Sequence, residues 1–201
     1  MSYIADEVLY SLFLETRKNS DSLFDESEIL FKSNKIARSY TLAHLSIEEY
    51  SKTVYILFKI LDYKINRIKI SINELKKLNT HTHKIKIFNI LFDNFDTLEK
   101  FQKGDSEKIS LLNKMKNLSI YCDFDYKSGN ISTPSEIIDQ KKCEEIRKLA
   151  KKFKDKVDFL KLNNELDFEN LLQRETFVKT IKGLNGRSAE DLFSNFILEG
   201  L

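Results

Sequence analysis

HLSIEEYSK, residues 44–52, puts two adjacent carboxylates and a lysine inside a stretch whose apolar spacing is that of a buried helix. At 100° per residue, Ile36, Tyr40, Ala43, Ile47, Tyr50, Val54, Phe58 and Leu61 form one continuous apolar face, which predicts a helix over about 36–64. Leu42, Leu45, Ile56 and Ile60 make a second stripe, with Glu49 in its middle and Arg38 near it. Glu48, Lys52 and Lys59 share the flank, beside Thr41 and Tyr55. Such a helix is contacted on two sides. Glu48 and Lys52 have the Glu-first i,i+4 spacing, worth roughly 0.3–0.5 kcal/mol on a solvated face. Glu49 needs more than that, because an unpaired buried carboxylate costs several kcal/mol. Lys52 at i+3, a cation from another helix, or one from another subunit are the candidate partners.

The surroundings read as helical too. A first helix is expected over 3–32, with KNSDS (18–22) either interrupting it or forming an exposed turn, and KSNK (32–35) as the connector. NRIKISINELKK (66–77) reads as a loop with a short helix. Further helices are expected over about 80–103 and 105–118. SIYCDFDYKSGNISTPSE (119–136) contains Gly129 and Pro134 and suits an extended excursion or short hairpin. A basic helix follows over about 139–162 with Asp139 as N-cap. LNNELD (162–167) breaks it before two helices, about 167–182 and 188–199. The expected fold class is all-α, with residues 1–162 as the main helical domain and 163–201 as a C-terminal helical extension packed on it.

Composition agrees. The chain has 201 residues, 41% hydrophobic and 32% charged, with one proline and five glycines to interrupt helices. A net charge of +2 gives no global case for nucleic-acid or membrane binding, and 76–86 and 147–156 are the local basic segments, read first as solvated faces. Cys122 and Cys143 lack a paired spacing, so neither a zinc site nor a disulfide framework is expected. The acidic N-terminus is unlike a signal peptide, and no run approaches the roughly 18 apolar residues of a membrane span. A cytoplasmic protein is expected.

THTHKIKIF (80–88) opens the next helix with His83, Lys86, Ile87 and Ile90 along one face. A lone histidine there reads first as a cap or core-edge residue. It is also the side chain best suited to proton transfer at neutral pH, and Lys84 and Lys86 beside it would favour an anion such as phosphate.

These segments, in order, resemble the abortive infection protein V (AbiV) family of bacterial phage-defence proteins. RSYTLAHLSIEEYSK (38–52) looks like its Glu-Glu-Lys helix, HTHKIKI (81–87) like its His-x-x-Lys helix start, and MKNLSIYCDFDYKSGNISTPSE (115–136) like its later loop and Ser/Thr-Pro. The resemblance spans roughly residues 12–157. It implies a HEPN-like helical bundle with a short extended insertion, from a superfamily that includes metal-independent dimeric ribonucleases. By resemblance, Glu48, Glu49, Lys52, His83, Lys84, Lys86, Tyr121 and Asp123 match motif positions. Thr80 stands where relatives more often have arginine, and Ser119-Ile120 where they have Gly-Leu. Arg38 and His44 fit an Arg-x-His string, but on a different helix.

Two functions follow from the resemblance. In the first, a conditional ribonuclease toxin stops translation on infection: His83 moves the 2′-hydroxyl proton, Lys86 or Lys52 stabilises phosphorane charge, Glu49 orients a cation beside Glu48, and Lys84, Arg38 and Tyr121 contact RNA. No metal or cofactor is called for. In the second, a non-catalytic protein blocks a translation component together with a phage-encoded partner, and the charged triplet fixes packing or dimer register. Both imply a phage-encoded activator, contact with RNA or the translation machinery, a homodimer, and no membrane association.

Overall fold

The computed structural model describes residues 3–67, 69–81, 84, 105–159, 161–162 and 165–173. Two long helices, α1 (Asp6–Lys32) and α2 (Ile36–Asn66), form an antiparallel hairpin. The turn is tight because Asn34 takes a left-handed φ of 56°, and Ser33 and Lys35 N–H groups return to the Ile29 and Leu30 carbonyls. A short α3 (Ile72–Lys77) follows, then α4 (Asp105–Leu118), strands β1 (Asp123–Phe124) and β2 (Ile131–Ser132), a one-turn α5 (Pro134–Ile137), α6 (Gln140–Phe159) and α7 (Glu165–Gln173). The all-α expectation holds, with the hairpin of 119–136 reduced to an antiparallel pair, Asp123 opposite Ser132 and Phe124 opposite Ile131. Among the described residues no helix is long and apolar enough to cross a membrane.

The first apolar face of α2 is the spine of the core. Tyr50, Val54, Phe58 and Leu61 are buried against Leu9 and Phe13 of α1 and Phe153 and Val157 of α6. Nearer the hairpin turn, Tyr40, Ala43 and Ile47 meet Phe24 of α1 and Cys143, Ile146 and Ala150 of α6. Small residues let α1 and α2 approach closely. Ser46 Oγ donates to the Ser20 carbonyl at 2.9 Å and Ser39 Oγ to the Ser27 carbonyl at 2.8 Å, so these buried hydroxyls are paired. KNSDS does not break α1: Lys18, Asn19 and Ser22 are an exposed turn of the helix, while Ser20 is turned inward. Ser20 is fully buried, and Asp21 accepts from the Tyr50 hydroxyl and from Lys154.

Capping sets the short elements. Ser71 and Glu74 make a reciprocal capping box on α3, with Ser71 N–H donating to Glu74 Oε2 at 2.9 Å. Asp139 caps α6, its Oδ1 accepting from Lys142 N–H at 2.8 Å. Gly129, at φ 71°, supplies the left-handed residue of the hairpin. Phe168 of α7 is buried between Tyr10 and Phe13, ring centroids 4.9 Å from each. The helix expected over 167–182 is described as far as Gln173 in α7; its remainder, the helix expected over 188–199 and most of the one over 80–103 lie outside the described residues.

Candidate functional site

The charged cluster is built around Glu48, which is 1% exposed. The flank pair with Lys52 does not form. Glu48 is turned inward, where α2 meets α4 and the segment carrying His81 and Lys84. Lys52 instead reaches Glu49 Oε2 at 3.5 Å, the i+3 alternative. The reason is crowding on three sides of α2. With α1 and α6 on the apolar face, a third contact falls on the line of Thr41, His44 and Glu48; of the stripe centred at Glu49, Ile56 and Ile60 are buried while Leu42 and Leu45 are only partly covered.

Four cations or imidazoles face the Glu48 carboxylate. Its Oε1 is 3.2 Å from Lys116 Nζ and 3.5 Å from His44 Nδ1. Its Oε2 is 2.5 Å from His81 Nδ1 and 3.4 Å from Lys84 Nζ. Lys84 also donates to Glu49 Oε1 at 2.9 Å, so Glu49 has both kinds of partner its position demanded, Lys52 and a cation from another segment. Burial pushes the Glu48 carboxyl upward, but the imidazole contacts of His44 and His81, with the charge of His44 and Lys116, outweigh it and hold the group at about 2. Glu48 is therefore ionised and accepts only, which makes His81 Nδ1 the donor of the 2.5 Å bond.

Local structure explains how each group arrives. Lys84 N–H bonds to the Thr80 carbonyl at 3.2 Å, so His81 and Lys84, three residues apart on a helical turn, point the same way. Lys116 is in the last turn of α4, which is pinned to α2. Ser119 Oγ donates to the Lys116 carbonyl at 2.5 Å and lies 2.7 Å from Thr41 Oγ1. Leu78 is buried ahead of His81 and anchors that segment to the core. The His81 imidazole is 52% exposed. One nitrogen is tied to a buried carboxylate while the ring faces solvent.

Sequence reasoning chose the second of two overlapping His-x-x-Lys pairs. His83 and Lys86 lie outside the described residues; His81 and Lys84, the first pair, both face Glu48. Glu48, Glu49, Lys52 and Lys84 come together. Arg38 and Tyr121 do not join them. Arg38 is exposed ten residues before Glu48, roughly 15 Å along the helix axis, and lines a groove of about 700 Å³ with Leu30, Ile36, Leu42, Ile120 and Pro134. Tyr121 is 65% exposed and lines a separate pocket with Lys114, Asn117 and Asp123.

Three residues were missed. His81 was signalled by its own His-x-x-Lys spacing and His44 by its position four before Glu48. Lys116 carried no signal beyond lying in the 115–136 segment. Across the cluster, three ammonium groups face two carboxylates, which leaves one positive charge over. A bound metal cation is disfavoured by those ammonium groups, and among the described residues no group of three or more His, Cys, Asp or Glu is placed to hold one. The arrangement is suited to attracting an anion and moving a proton at His81.

The helical architecture agrees with comparison to known families. The model of the HEPN-type AbiV family matches residues 11–155. No curated protein and no solved structure matches. That match covers well over half of the chain, which belongs to the AbiV family of HEPN-superfamily abortive infection proteins.

Proposed function

We propose that the protein is a conditional ribonuclease toxin which arrests translation on phage infection, with His81 in the proton-transfer role that the sequence suggested for His83. The observation that carries this reading is the short His81–Glu48 contact. A buried, ionised carboxylate fixes the imidazole as the Nδ1–H tautomer and leaves Nε2 as the basic nitrogen of a half-exposed ring. Nε2 takes the proton of an RNA 2′-hydroxyl as its oxygen attacks the adjacent phosphorus. The P–O5′ bond breaks, and the leaving oxygen takes a proton from solvent. Lys84, beside His81, stabilises the phosphorane charge once it exchanges Glu49 for phosphate. That exchange is a natural point of control. In the resting arrangement Lys84 is held by both carboxylates, so an activator, in this reading a phage-encoded protein acting on a cytoplasmic homodimer, is needed to release it.

The test is RNA cleavage by purified protein in the presence of chelator, with and without infected-cell extract. His81→Ala is expected to abolish activated cleavage. Wild-type rates in His81→Ala would remove His81 from the chemistry.

A second reading has its own observation. Lys52, Lys84 and Lys116 are all paired with Glu48 or Glu49, and the Glu48–Lys116 pair is buried. The network also suits a brace that joins α2, α4 and the 81–84 turn in a protein that blocks a translation component by binding it with a phage partner. Intact rRNA, tRNA and mRNA in arrested cells would select this second reading.

A further inference from the structure

His44 has no place in the chemistry above, yet it is the one buried imidazole in the described cluster. Its side chain is 4% exposed, and Nδ1 makes no hydrogen bond of normal length among the described residues. The nitrogen faces Glu48 Oε1 at 3.5 Å, close enough for strong electrostatic contact and too long for a good hydrogen bond. A buried donor left so near an ionised acceptor is costly unless the contact does something. The opposite tautomer, with a lone pair on Nδ1, would set that lone pair against a carboxylate oxygen. Only Nδ1–H suits the position.

The two oxygens of Glu48 also differ in kind. Oε1 faces His44 and Lys116, both buried; Oε2 faces His81, which is half exposed, and Lys84. His44 sits one turn before Glu48 on α2, so its approach is set by helix geometry and not by the packing of a distant segment.

We propose that His44 is a positioning residue: its Nδ1–H, facing Glu48 Oε1 at 3.5 Å, attracts that oxygen electrostatically and so helps keep Oε2 turned toward His81. Lys116 Nζ donates to the same oxygen at 3.2 Å from α4, and the His44 imidazole adds its attraction from within α2 itself. The catalytic meaning of the contact rests on the ribonuclease reading; the contact itself does not.

The first experiment uses the wild-type full chain with 15N-labelled histidine and reads ring tautomers by NMR at neutral pH. His44 is expected to be protonated at Nδ1; an unprotonated Nδ1 overturns the proposal. The second compares His44→Phe, which keeps a ring and loses the donor, with His44→Asn, whose amide N–H stands near the Nδ1 position. Exchange of the His81 Nδ1–H with water is expected to be roughly tenfold faster in His44→Phe and close to wild type in His44→Asn. Equal protection in His44→Phe and wild type, or equal loss in both variants, overturns it. If His44→Phe does not fold, the tautomer decides. Neither readout involves RNA, so a protein that cuts no RNA yet shows both signatures removes the ribonuclease reading and keeps this one.

Discussion

Replacing Glu48 by glutamine keeps shape and removes charge, so the Glu48→Gln variant imitates wild-type protein with that carboxyl protonated. The magnitude can be worked from the carboxyl's own titration. A folded value of about 2 against an ordinary value of 4.5 corresponds to about 3 kcal/mol of stability at neutral pH. The independent expectation for removing one partner of a buried ion pair, here stranding the Lys116 ammonium, is also about 3–5 kcal/mol. The sign of the pH dependence is fixed. The folded-state value is depressed, so the contribution is present above pH 4.5 and fades as pH falls toward 2. The gap between wild type and Glu48→Gln is then expected to shrink from about 3 kcal/mol at pH 7 to about 1.4 kcal/mol at pH 3. The assay is urea unfolding of both full-length proteins across that range. Other carboxylates titrate in both proteins and largely cancel in the difference. A gap below about 1 kcal/mol at pH 7, or one that stays constant down to pH 3, would refute the account of Glu48 as a buried, ionised hub.

Phe168→Ala is expected to cost about 3–5 kcal/mol, because the ring is fully buried edge-on to Tyr10 and Phe13; a denaturation midpoint close to wild type would mean α7 contributes little to the core. Iodoacetamide on the native protein is expected to label Cys122, which is exposed, and to spare Cys143, which is buried with its thiol pushed up by desolvation. Mass spectrometry reads both sites, and equal labelling would place Cys143 nearer the surface than the fold does.

The helices were legible because their signal is local. The 36–64 face of α2 alternates at 3.6 residues and is buried as that period requires, and the caps at Ser71 and Asp139 sit where short polar side chains meet helix starts. The site was legible only in part. Periodicity places a residue on a face but does not say which faces are covered. Glu48 looked like a solvated flank until α4 and the 81–84 turn were set against it. The same gap applies to His81: the His-x-x-Lys spacing does not say that His81 and Lys84 are set against α2, which depends on the packing of the segment that Leu78 ties to the core. Lys116 is buried through a long-range contact that no local pattern encodes.

The network divides into a fixed half and an exchangeable half, and the division follows from burial. Lys116 cannot leave Glu48 without stranding a carboxylate that is 1% exposed, and Ser119 and Thr41 hold its backbone in place. Lys84 is different. If it turns toward a phosphate, Glu49 keeps Lys52 at 3.5 Å, and Glu48 keeps Lys116, His44 and His81. No buried charge is orphaned. The cost of moving Lys84 is therefore the loss of its charge-assisted hydrogen bond to Glu49 and its 3.4 Å ion pair with Glu48, and an anionic ligand can return interactions of the same kind. In the ribonuclease reading, Lys84 changes partners and His81 takes a proton at Nε2 on the side of Glu48 that reaches solvent, while the buried side holds the carboxylate still. In the brace reading both halves stay closed, and Lys84→Ala should loosen the 81–84 turn without altering the α4 end of the network.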